Sequence, residues 1–236
     1  MSANQNTKVS IIIPTYQEGK YIQTLLTKLM KINNLLEVIV VDGGSTDETV
    51  VTAKNFTDKV YEINQRGIAK ARNYGAYKSS GEILVFLDAD VSPPLDFVER
   101  ILKMFRDKMI VGLTCKIMPK QPRTSELMFF IFYNDLLRFC SLFKPHSRGE
   151  FLAVKRECFM KLGGFDEKLP CLEDHELTFR ISKLGKFVFV PDLVVYESMR
   201  RFRKSGLLKV LKEWVSNYIS LILFQKTISK IWKPVR

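Results

Sequence analysis

Short, mainly apolar runs alternate with amphipathic segments along the first half of this 236-residue chain. Four such runs, at residues 8–13, 37–41, 59–63 and 83–87, predict short strands, and the purest of them are typical of strands buried on both faces of a sheet. Residues 20–31 carry apolar side chains at helical spacing. Strands that alternate with helices predict an α/β fold with a mostly parallel sheet and right-handed crossovers.

Acidic residues directly follow two of these predicted strands. Asp42 comes after residues 37–41, and Asp88 and Asp90 come after residues 83–87. In open α/β sheets, ligands bind outside the carboxyl ends of the strands. Two carboxylates this close together can hold a hard divalent cation through oxygen. A polar cap at the end of the strand is the plainer alternative for Asp88 and Asp90.

The rest of the chain contains further predicted helices and strands. The capping-box sequence Ser45-Thr46-Asp47-Glu48 predicts a helix that begins at Ser45. Helices are also predicted at 66–75, 94–106, 156–162 and from 172 onward, and strands at 109–117, 149–155, 186–190 and 193–196. The regular alternation stops at Pro119 and Pro122, so we place a change of architecture there.

One predicted helix, residues 125–143, is apolar on nearly every face. Such a helix is either deeply buried or in contact with lipid or an apolar partner. It is short for a membrane span, and Asp135 and Arg138 interrupt it.

The last predicted helix, residues 205–230, is basic and amphipathic. Its longest run without charge has only 12 residues, which is too few to cross a bilayer. We expect it to lie at a membrane surface with Trp214, Tyr218 and Trp232 facing inward. Packing on the body of the protein or on a second subunit is the alternative.

The net charge of +12 is concentrated at the end of the chain, where the last 37 residues contain ten basic residues and one acidic residue. Nucleic acid, an anionic membrane surface and a phosphorylated substrate are all possible partners for such a segment. The four cysteines are far apart and form no CxxC motif, which argues against a zinc site. We recognise no signal peptide and therefore expect a reducing, cytoplasmic location.

Five motifs occur in order along the chain. They are Ile13-Pro14-Thr15-Tyr16-Gln17-Glu18, Val41-Asp42-Gly43-Gly44-Ser45-Thr46-Asp47, Ala71-Arg72-Asn73-Tyr74-Gly75, Asp88-Ala89-Asp90, and Glu173-Asp174 preceded by Gly163-Gly164-Phe165-Asp166. Together they resemble the GT-A fold, family 2 inverting glycosyltransferases, over about residues 8–206. The resemblance implies a Rossmann-like central sheet with flanking helices at 1–204, with a donor half at about 8–118 and an acceptor half at about 119–204. The basic amphipathic helix at 205–236 would follow this domain.

The resemblance also implies a role for each matching residue. Pro14, Thr15, Tyr16 and Glu18 would line the nucleoside pocket, Asp42 would bond the base, and Arg72 would lie by the base or diphosphate. Asp88 and Ala89 would contact the donor, and Asp90, with Asp88, would hold Mg²⁺ or Mn²⁺. Asp174 would be the general base, and Glu173 and His175 would lie on the acceptor side.

The chain departs from the family pattern at two places. Gln17 stands where the family normally has Asn, and the QxxRW motif of processive members is absent, so we expect non-processive transfer. Residues 197–202 are instead similar to the S-x-R-R-[FW] ending of a subgroup of single-domain members. Arg200 or Arg201 would clamp the diphosphate, or both would belong to the basic patch facing the membrane.

These observations lead us to expect an inverting, metal-dependent glycosyltransferase on the cytoplasmic side of a membrane. A nucleotide-sugar, with UDP favoured and GDP as the alternative, would be the donor. The acceptor would be a hydroxyl or a phosphate, such as a polyprenyl phosphate or another lipid-linked molecule. The cation would neutralise the charge of the departing diphosphate, and a carboxylate would take the proton of an attacking hydroxyl.

Two other classes of protein remain open from the sequence. A nucleotidyltransferase would also use carboxylates and Mg²⁺, but the loop after the first strand has no cation before Lys20 to cradle a triphosphate. A non-catalytic protein would use the basic segment to bind nucleic acid or lipid. We expect no nucleic-acid partner, and the sequence leaves the oligomeric state open.

Overall fold

The structure, a computed structural model, describes residues 8–32, 36–224 and 226–229. Within these ranges one seven-stranded sheet is flanked by helices. The strands are β1 (Val9–Thr15), β2 (Leu36–Asp42), β3 (Val60–Glu62), β4 (Ile83–Leu87), β5 (Ile110–Pro119), β6 (Phe151–Lys155) and β7 (Lys186–Glu197). The helices are α1 (Gly19–Leu29), α2 (Thr49–Lys54), α3 (Ile68–Lys78), α4 (Phe97–Phe105), α5 (Thr124–Cys140), α6 (Arg156–Lys161), α7 (Glu173–Ile181), α8 (Arg200–Ser205) and α9 (Leu207–Phe224).

The strand order in the sheet is β3-β2-β1-β4-β6-β5-β7. Four neighbouring pairs are parallel, and β6 alone among the described strands runs antiparallel to its neighbours, β4 and β5. The expectation of a mostly parallel α/β sheet is therefore confirmed. From β1 the chain moves to β2 on one side and later returns to β4 on the other side. Ligands bind at the carboxyl ends of strands at such a switch point.

The sheet has a hydrophobic core on each face, because alternate residues of a strand point to opposite faces. In β1, Ile11 and Ile13 pack in the core that also contains α1 and α4, whereas Ile12 packs in the core with α3, α6 and α7. In β4, Val85 and Phe86 are divided between the same two cores. Burial on both faces explains why β4 is a continuous apolar run.

The start of α2 corrects the capping-box prediction, because the helix begins at Thr49 and not at Ser45. The hydroxyl of Ser45 donates to Asp42, and its oxygen accepts a hydrogen bond from the backbone of Gln17 at 2.7 Å. Asp47, rather than Ser45, accepts the backbone N–H of Thr49, at 3.1 Å. Ser45 therefore ties two loops together, and these loops lie at the carboxyl ends of β1 and β2.

The end of the sheet also differs from the prediction. Residues 186–190 and 193–196 were expected as two strands, but they belong to the single strand β7. Its pairing with β5 passes from Val190 directly to Val194, so the three residues around Pro191 form an irregularity that keeps the strand continuous.

The predicted apolar helix corresponds to α5, and one of its faces is buried. Phe130 packs with Phe202 and Val210 from α8 and α9. On the opposite face Phe132 and Phe139 are 67% and 60% exposed. None of the described helices is both long enough and apolar enough to cross a membrane.

The predicted C-terminal helix corresponds to α9, which begins after Gly206, a residue with a positive φ of 85°. Residues 225 and 230–236 of the prediction, including Trp232, lie outside the described residues. The ring of Trp214 packs against Tyr133 of α5 and, edge to face, against Phe202 of α8. Tyr218 contacts His146. Both aromatic side chains therefore contact the body of the protein, as the alternative has it, and the membrane contact of this helix stays a prediction.

Candidate active site

Two adjoining cavities lie at the carboxyl ends of β1 and β4. The larger cavity has a volume of about 620 Å³ and the smaller cavity about 280 Å³. They share the wall residues Ile68, Asp88 and Pro170. The larger cavity is also lined by Pro14, Thr15, Tyr16, Glu18, Ala89, Asp90, Arg200 and Arg201. The smaller cavity is lined by Arg72, Glu173, Asp174 and His175 among others. The fold therefore gathers residues that are far apart in sequence.

Asp42 lies behind the wall of the larger cavity, and its neighbour Gly43 lines that wall. The carboxylate of Asp42 is fully buried and accepts the hydroxyls of Thr15 at 2.9 Å and Ser45 at 2.6 Å. It also accepts the backbone N–H groups of Gly44 at 2.9 Å and Ser45 at 2.6 Å. These four donors occupy both carboxylate oxygens. Asp42 thus joins the loops after β1 and β2 and supports the cavity from behind.

Gln17 lies in the loop after β1 in an uncommon backbone conformation. It has a φ of 58°, in the left-handed region, which few residues other than Gly, Asn and Asp adopt readily. In this chain the side chain of Gln17 donates to Thr46 at 2.8 Å. This hydrogen bond helps to hold the loop beside the larger cavity.

Arg72 is a buried link between the two cavities, with only 1% of its surface exposed. Its guanidinium donates to Asp88 at 2.9 Å, to Glu173 at 2.6 Å and to the carbonyl of Gly149 at 2.7 Å. It therefore connects the end of β4 to the start of α7 and to the loop before β6. A Cβ at Gly149 would lie 3.0 Å from the guanidinium, so a larger residue there would crowd this link.

Asp88 and Asp90 lie in the larger cavity, where their side chains are 29% and 14% exposed. Burial raises the pKa of Asp88 to about 7, with Arg72 acting against this rise and Glu150 adding to it. Burial likewise raises the pKa of Asp90, and Arg200 opposes the rise. Carboxyl groups with raised pKa values indicate a place where a further positive charge would be stabilised.

Arg200 spans the larger cavity and forms ion pairs with two acids. It donates through two nitrogens to Glu18, both at 2.7 Å, and its Nε lies 3.1 Å from Asp90. Its guanidinium also lies over the ring of Tyr21, 4.5 Å from the centroid. Because Arg200 begins α8, these contacts attach the end of the chain to the loop after β1.

The residues at the larger cavity fit a hard divalent cation that receives part of its coordination from a ligand. Asp88 and Asp90 supply only carboxylate oxygens, the donors that Mg²⁺ and Mn²⁺ prefer. The described residues hold no group of three or more His, Cys, Asp or Glu side chains placed for a metal ion. Mg²⁺ is usually bound by one or two carboxylates, water and substrate phosphates. The pair therefore suits a cation that arrives with a phosphate-bearing ligand.

The start of α7 brings two carboxyl groups and an imidazole to the smaller cavity. Burial raises the pKa of both Glu173 and Asp174 above the usual range, and the charge of Arg72 opposes the rise in each. A carboxylate whose pKa is shifted towards neutrality is suited to accept a proton. Burial lowers the pKa of His175 to about 4, so its imidazole is neutral at pH 7.

A second buried arginine, Arg148, belongs to this region but was missed in the sequence. It donates to Glu150 at 2.8 Å and to Glu197 at 2.7 Å. Glu150 lies in the wall of the smaller cavity, and its charge raises the pKa of Asp88 and Asp174. Arg148 and Glu197 are 49 residues apart in sequence. No local sequence pattern connects Arg148 to Glu197. The sequence shows only that Arg148 and Glu150 lie at the start of the predicted strand 149–155.

Sequence comparisons find relatives of this chain among known proteins. The sequence model described as "Glycosyl transferase family 2" matches residues 10–162, and "Glycosyltransferase like family 2" matches residues 122–224. Glycosyltransferase AglE of Haloferax volcanii is 42% identical over 101 residues, which are 39% of this chain and 33% of that protein. A glucosyl-3-phosphoglycerate synthase of Petrotoga mobilis is 30% identical over 199 residues, which are 70% and 58% of the two chains. This chain spans between 16% and 63% of the length of these and six further curated relatives.

Solved structures share the fold. A mannosyltransferase from Pyrobaculum calidifontis in complex with GDP-Man and Mn²⁺ superimposes with a TM-score of 0.70 at 27% identity, covering 91% of this chain and 66% of that chain. TarS of Staphylococcus aureus in complex with UDP-GlcNAc gives a TM-score of 0.64 at 21% identity, covering 81% and 58%. The second likeness concerns the fold alone. The predicted GT-A fold is confirmed by these two structures.

Proposed function

This chain belongs to glycosyl transferase family 2, and we propose that it transfers a sugar from a nucleotide-sugar in the larger cavity to an acceptor in the smaller cavity. The observation that carries this proposal is the wall that the two cavities share at Asp88. On one side of Asp88 lies Asp90, and on the other side lies Asp174. A donor sugar and an acceptor would therefore meet between a metal-ligating pair and a proton acceptor.

The loop after β1 would form the nucleoside part of the donor site. Pro14, Thr15, Tyr16 and Glu18 line the larger cavity, and Arg66 lies over the ring of Tyr16, 4.5 Å from its centroid. Asp42 would act from behind by holding this loop in place. UDP stays the favoured nucleotide from the sequence motifs, and GDP is the alternative, which the mannosyltransferase complex with GDP-Man supports.

Asp90 and Asp88 would hold Mg²⁺ or Mn²⁺ against the diphosphate, and Ala89 between them would let the donor approach. The cation would supply electrostatic stabilisation of the leaving diphosphate. Arg200 and Arg201 line the same cavity and would add positive charge to the diphosphate. The pairs from Arg200 to Glu18 and Asp90 hold its guanidinium at the cavity wall, and the diphosphate would have to replace one of these pairs to contact it.

Asp174 would take the proton from an acceptor hydroxyl as that hydroxyl attacks the donor sugar. Arg72 and Glu173 would position the start of α7 so that Asp174 stays in the smaller cavity. A single direct displacement would invert the anomeric carbon. Non-processive transfer follows from the same proposal, since residues 197–202 carry Arg200 and Arg201 rather than a QxxRW motif.

A peripheral membrane contact would place lipid-linked acceptors within reach. The outer face of α9 carries exposed Val215, Ile219 and Leu223, and the neighbouring surface of α5 carries exposed Phe132 and Phe139. The chain around these residues is rich in lysine and arginine. Apolar side chains beside basic residues favour an anionic bilayer surface. Co-sedimentation with vesicles of anionic or neutral lipid tests the membrane contact. Absence of the protein from both vesicle pellets would contradict it.

The donor and metal are tested together with a panel of UDP-sugars and GDP-sugars. Hydrolysis and thermal stabilisation are measured with Mn²⁺, Mg²⁺ or EDTA on the wild type and on Asp90→Ala. We expect one nucleotide class to stabilise the protein only when a cation is present, and this effect to disappear in the variant. Equal stabilisation in EDTA would exclude the metal-bridged donor, and no response to any nucleotide would favour a non-catalytic binding protein.

A further inference from the structure

The smaller cavity continues between two helices, α5 and α9, beyond the residues that the reaction proposed above uses. Each helix contributes four lining side chains at positions i, i+3, i+4 and i+7, which form one continuous face of a helix. They are Tyr133, Leu136, Leu137 and Cys140 of α5, and Leu211, Trp214, Val215 and Tyr218 of α9, with Asn217 beside them. A stripe of this spacing is roughly 10 Å long. The cavity therefore includes a groove between the two helices.

The groove opens at an apolar part of the surface. Leu136 and Val215 line the cavity and are 43% and 49% exposed, so they lie at its mouth. Phe132, one turn before Leu136, and Ile219, one turn after Val215, are exposed on the same helix faces but lie outside the cavity wall. Large apolar side chains that are exposed together indicate an interaction site. The mouth of the groove therefore lies within the surface that we proposed to contact a membrane.

The inner end of the same cavity is polar. Arg72 bonds to Asp88 in the wall shared with the larger cavity and to Glu173 in α7, so the start of α7 lies at the end that adjoins the donor site. Three nitrogens of the lining residues are buried without a hydrogen-bond partner among the described residues, namely Nε of Arg72, Nη1 of Arg148 and Nδ1 of His175. Carboxylates and nitrogens together offer partners to a hydroxyl and to a phosphate. The cavity is therefore polar towards the donor and apolar towards the surface.

We propose that the groove between α5 and α9 holds the hydrocarbon chain of a lipid acceptor, while the polar head group of that acceptor lies beside Asp174. The occupant follows from continuity, because the groove joins the reacting groups to the apolar surface. Leu136, Leu211 and Val215 would contact the chain, and removal of each CH₂ group from water favours its binding. A cavity of about 280 Å³ takes only the part of a long chain next to the head group, and the remainder would stay in the bilayer. This inference rests on the proposed function and specifies where its acceptor binds.

The groove is tested by the dependence of binding on chain length, measured on the full chain. Titration calorimetry gives the Kd of butyl, hexyl and octyl phosphate, and of the corresponding glucosides, below their micellar concentrations. In at least one series we expect the Kd to fall roughly fourfold for each added CH₂ group. Val215→Asn should raise the Kd of the octyl compound about fivefold and that of the butyl compound less than twofold. Ile219→Asn is the matched control, because Ile219 is 51% exposed on the same helix but lies outside the cavity wall.

A Kd that does not depend on chain length in either series, or no binding of any compound, would overturn the inference. Equal effects of Val215→Asn and Ile219→Asn would also overturn it and would assign both residues to a general membrane contact. Nucleotide-sugar hydrolysis by the wild type is measured without lipid, so its loss would reveal failure of the proposed function separately. If Val215→Asn does not fold, Leu136→Asn is compared with Ile131→Asn on α5, since Ile131 is 37% exposed and lies outside the cavity wall.

Discussion

Replacing Arg72 with methionine should lower the stability of the protein as well as its activity. Methionine has a similar length, but it cannot donate the hydrogen bonds that join Arg72 to Asp88, Glu173 and the carbonyl of Gly149. Removing one partner of a buried ion pair costs about 3–5 kcal/mol, because the other charge stays buried without a partner. We take the lower end, about 3 kcal/mol, since Asp88 keeps 29% of its side-chain surface in solvent.

For a chain of this size, a loss of about 3 kcal/mol lowers the melting temperature by roughly 6–12 °C. Differential scanning calorimetry of the wild type, Arg72→Met, Glu173→Gln and the double variant measures this loss and the coupling of the pair. Arg100→Met is the matched control, because Arg100 and Asp96 form an exposed pair with side chains 44% and 48% accessible. We expect the control to cost less than about 1 kcal/mol. An unchanged melting temperature in Arg72→Met, together with lost turnover, would refute the structural role and assign Arg72 to the ligand.

The remaining predictions concern the proposed base, the metal pair and a buried acid remote from both. Asp174→Asn should slow transfer to a hydroxyl acceptor about 10²–10⁴-fold and leave nucleotide binding unchanged. Transfer by the wild type should fall as the pH drops through the raised pKa of Asp174. Equal turnover by the variant and the wild type would exclude Asp174 as the base. Asp90→Asn should weaken the Mn²⁺-dependent binding of nucleotide at least tenfold, measured as Kd by titration calorimetry. A Kd equal to that of the wild type would exclude Asp90 as a metal ligand. Burial alone would raise the pKa of Glu37, but hydrogen bonds from Lys59, Ser10 and Ser80 lower it to about 2. Glu37 should therefore stabilise the protein above pH 4.5 and lose this effect as the pH falls towards 2. In urea unfolding, Glu37→Gln should lower the free energy of unfolding on the order of 2–3 kcal/mol at pH 7 and much less at pH 3. An equal loss at both pH values would contradict this.

Local patterns predicted the donor half of the fold well because its central strands, β1 and β4, are buried on both faces. Residues 83–87 form β4 as expected, and the apolar face of residues 20–31 became the buried side of α1. The helix start at Ser45 was wrong, because Ser45 bonds to Asp42 and Gln17 in neighbouring loops. A side chain that caps a helix in isolation can bond to another loop instead, and sequence spacing does not reveal that competition.

The second half of the chain was less predictable because its contacts join residues that are far apart in the sequence. Trp214 and Tyr218 belong to an amphipathic helix of the kind that lies on membranes, but they contact Tyr133 and His146 in a cavity wall. An amphipathic pattern shows that a helix has an apolar face and does not identify what covers that face.

By itself, the sequence determined the α/β alternation, the family resemblance and the acidic ends of β2 and β4. These features depend on neighbouring residues and on the spacing of apolar side chains, which can be read along the chain. Only the tertiary structure decided that Asp42 lies behind the cavity wall, that Arg72 joins Asp88 to Glu173, and that α9 closes a second cavity. The physical reason is that burial and charge pairing depend on distances in space, and Arg72 and Glu173 are separated by 101 residues of sequence.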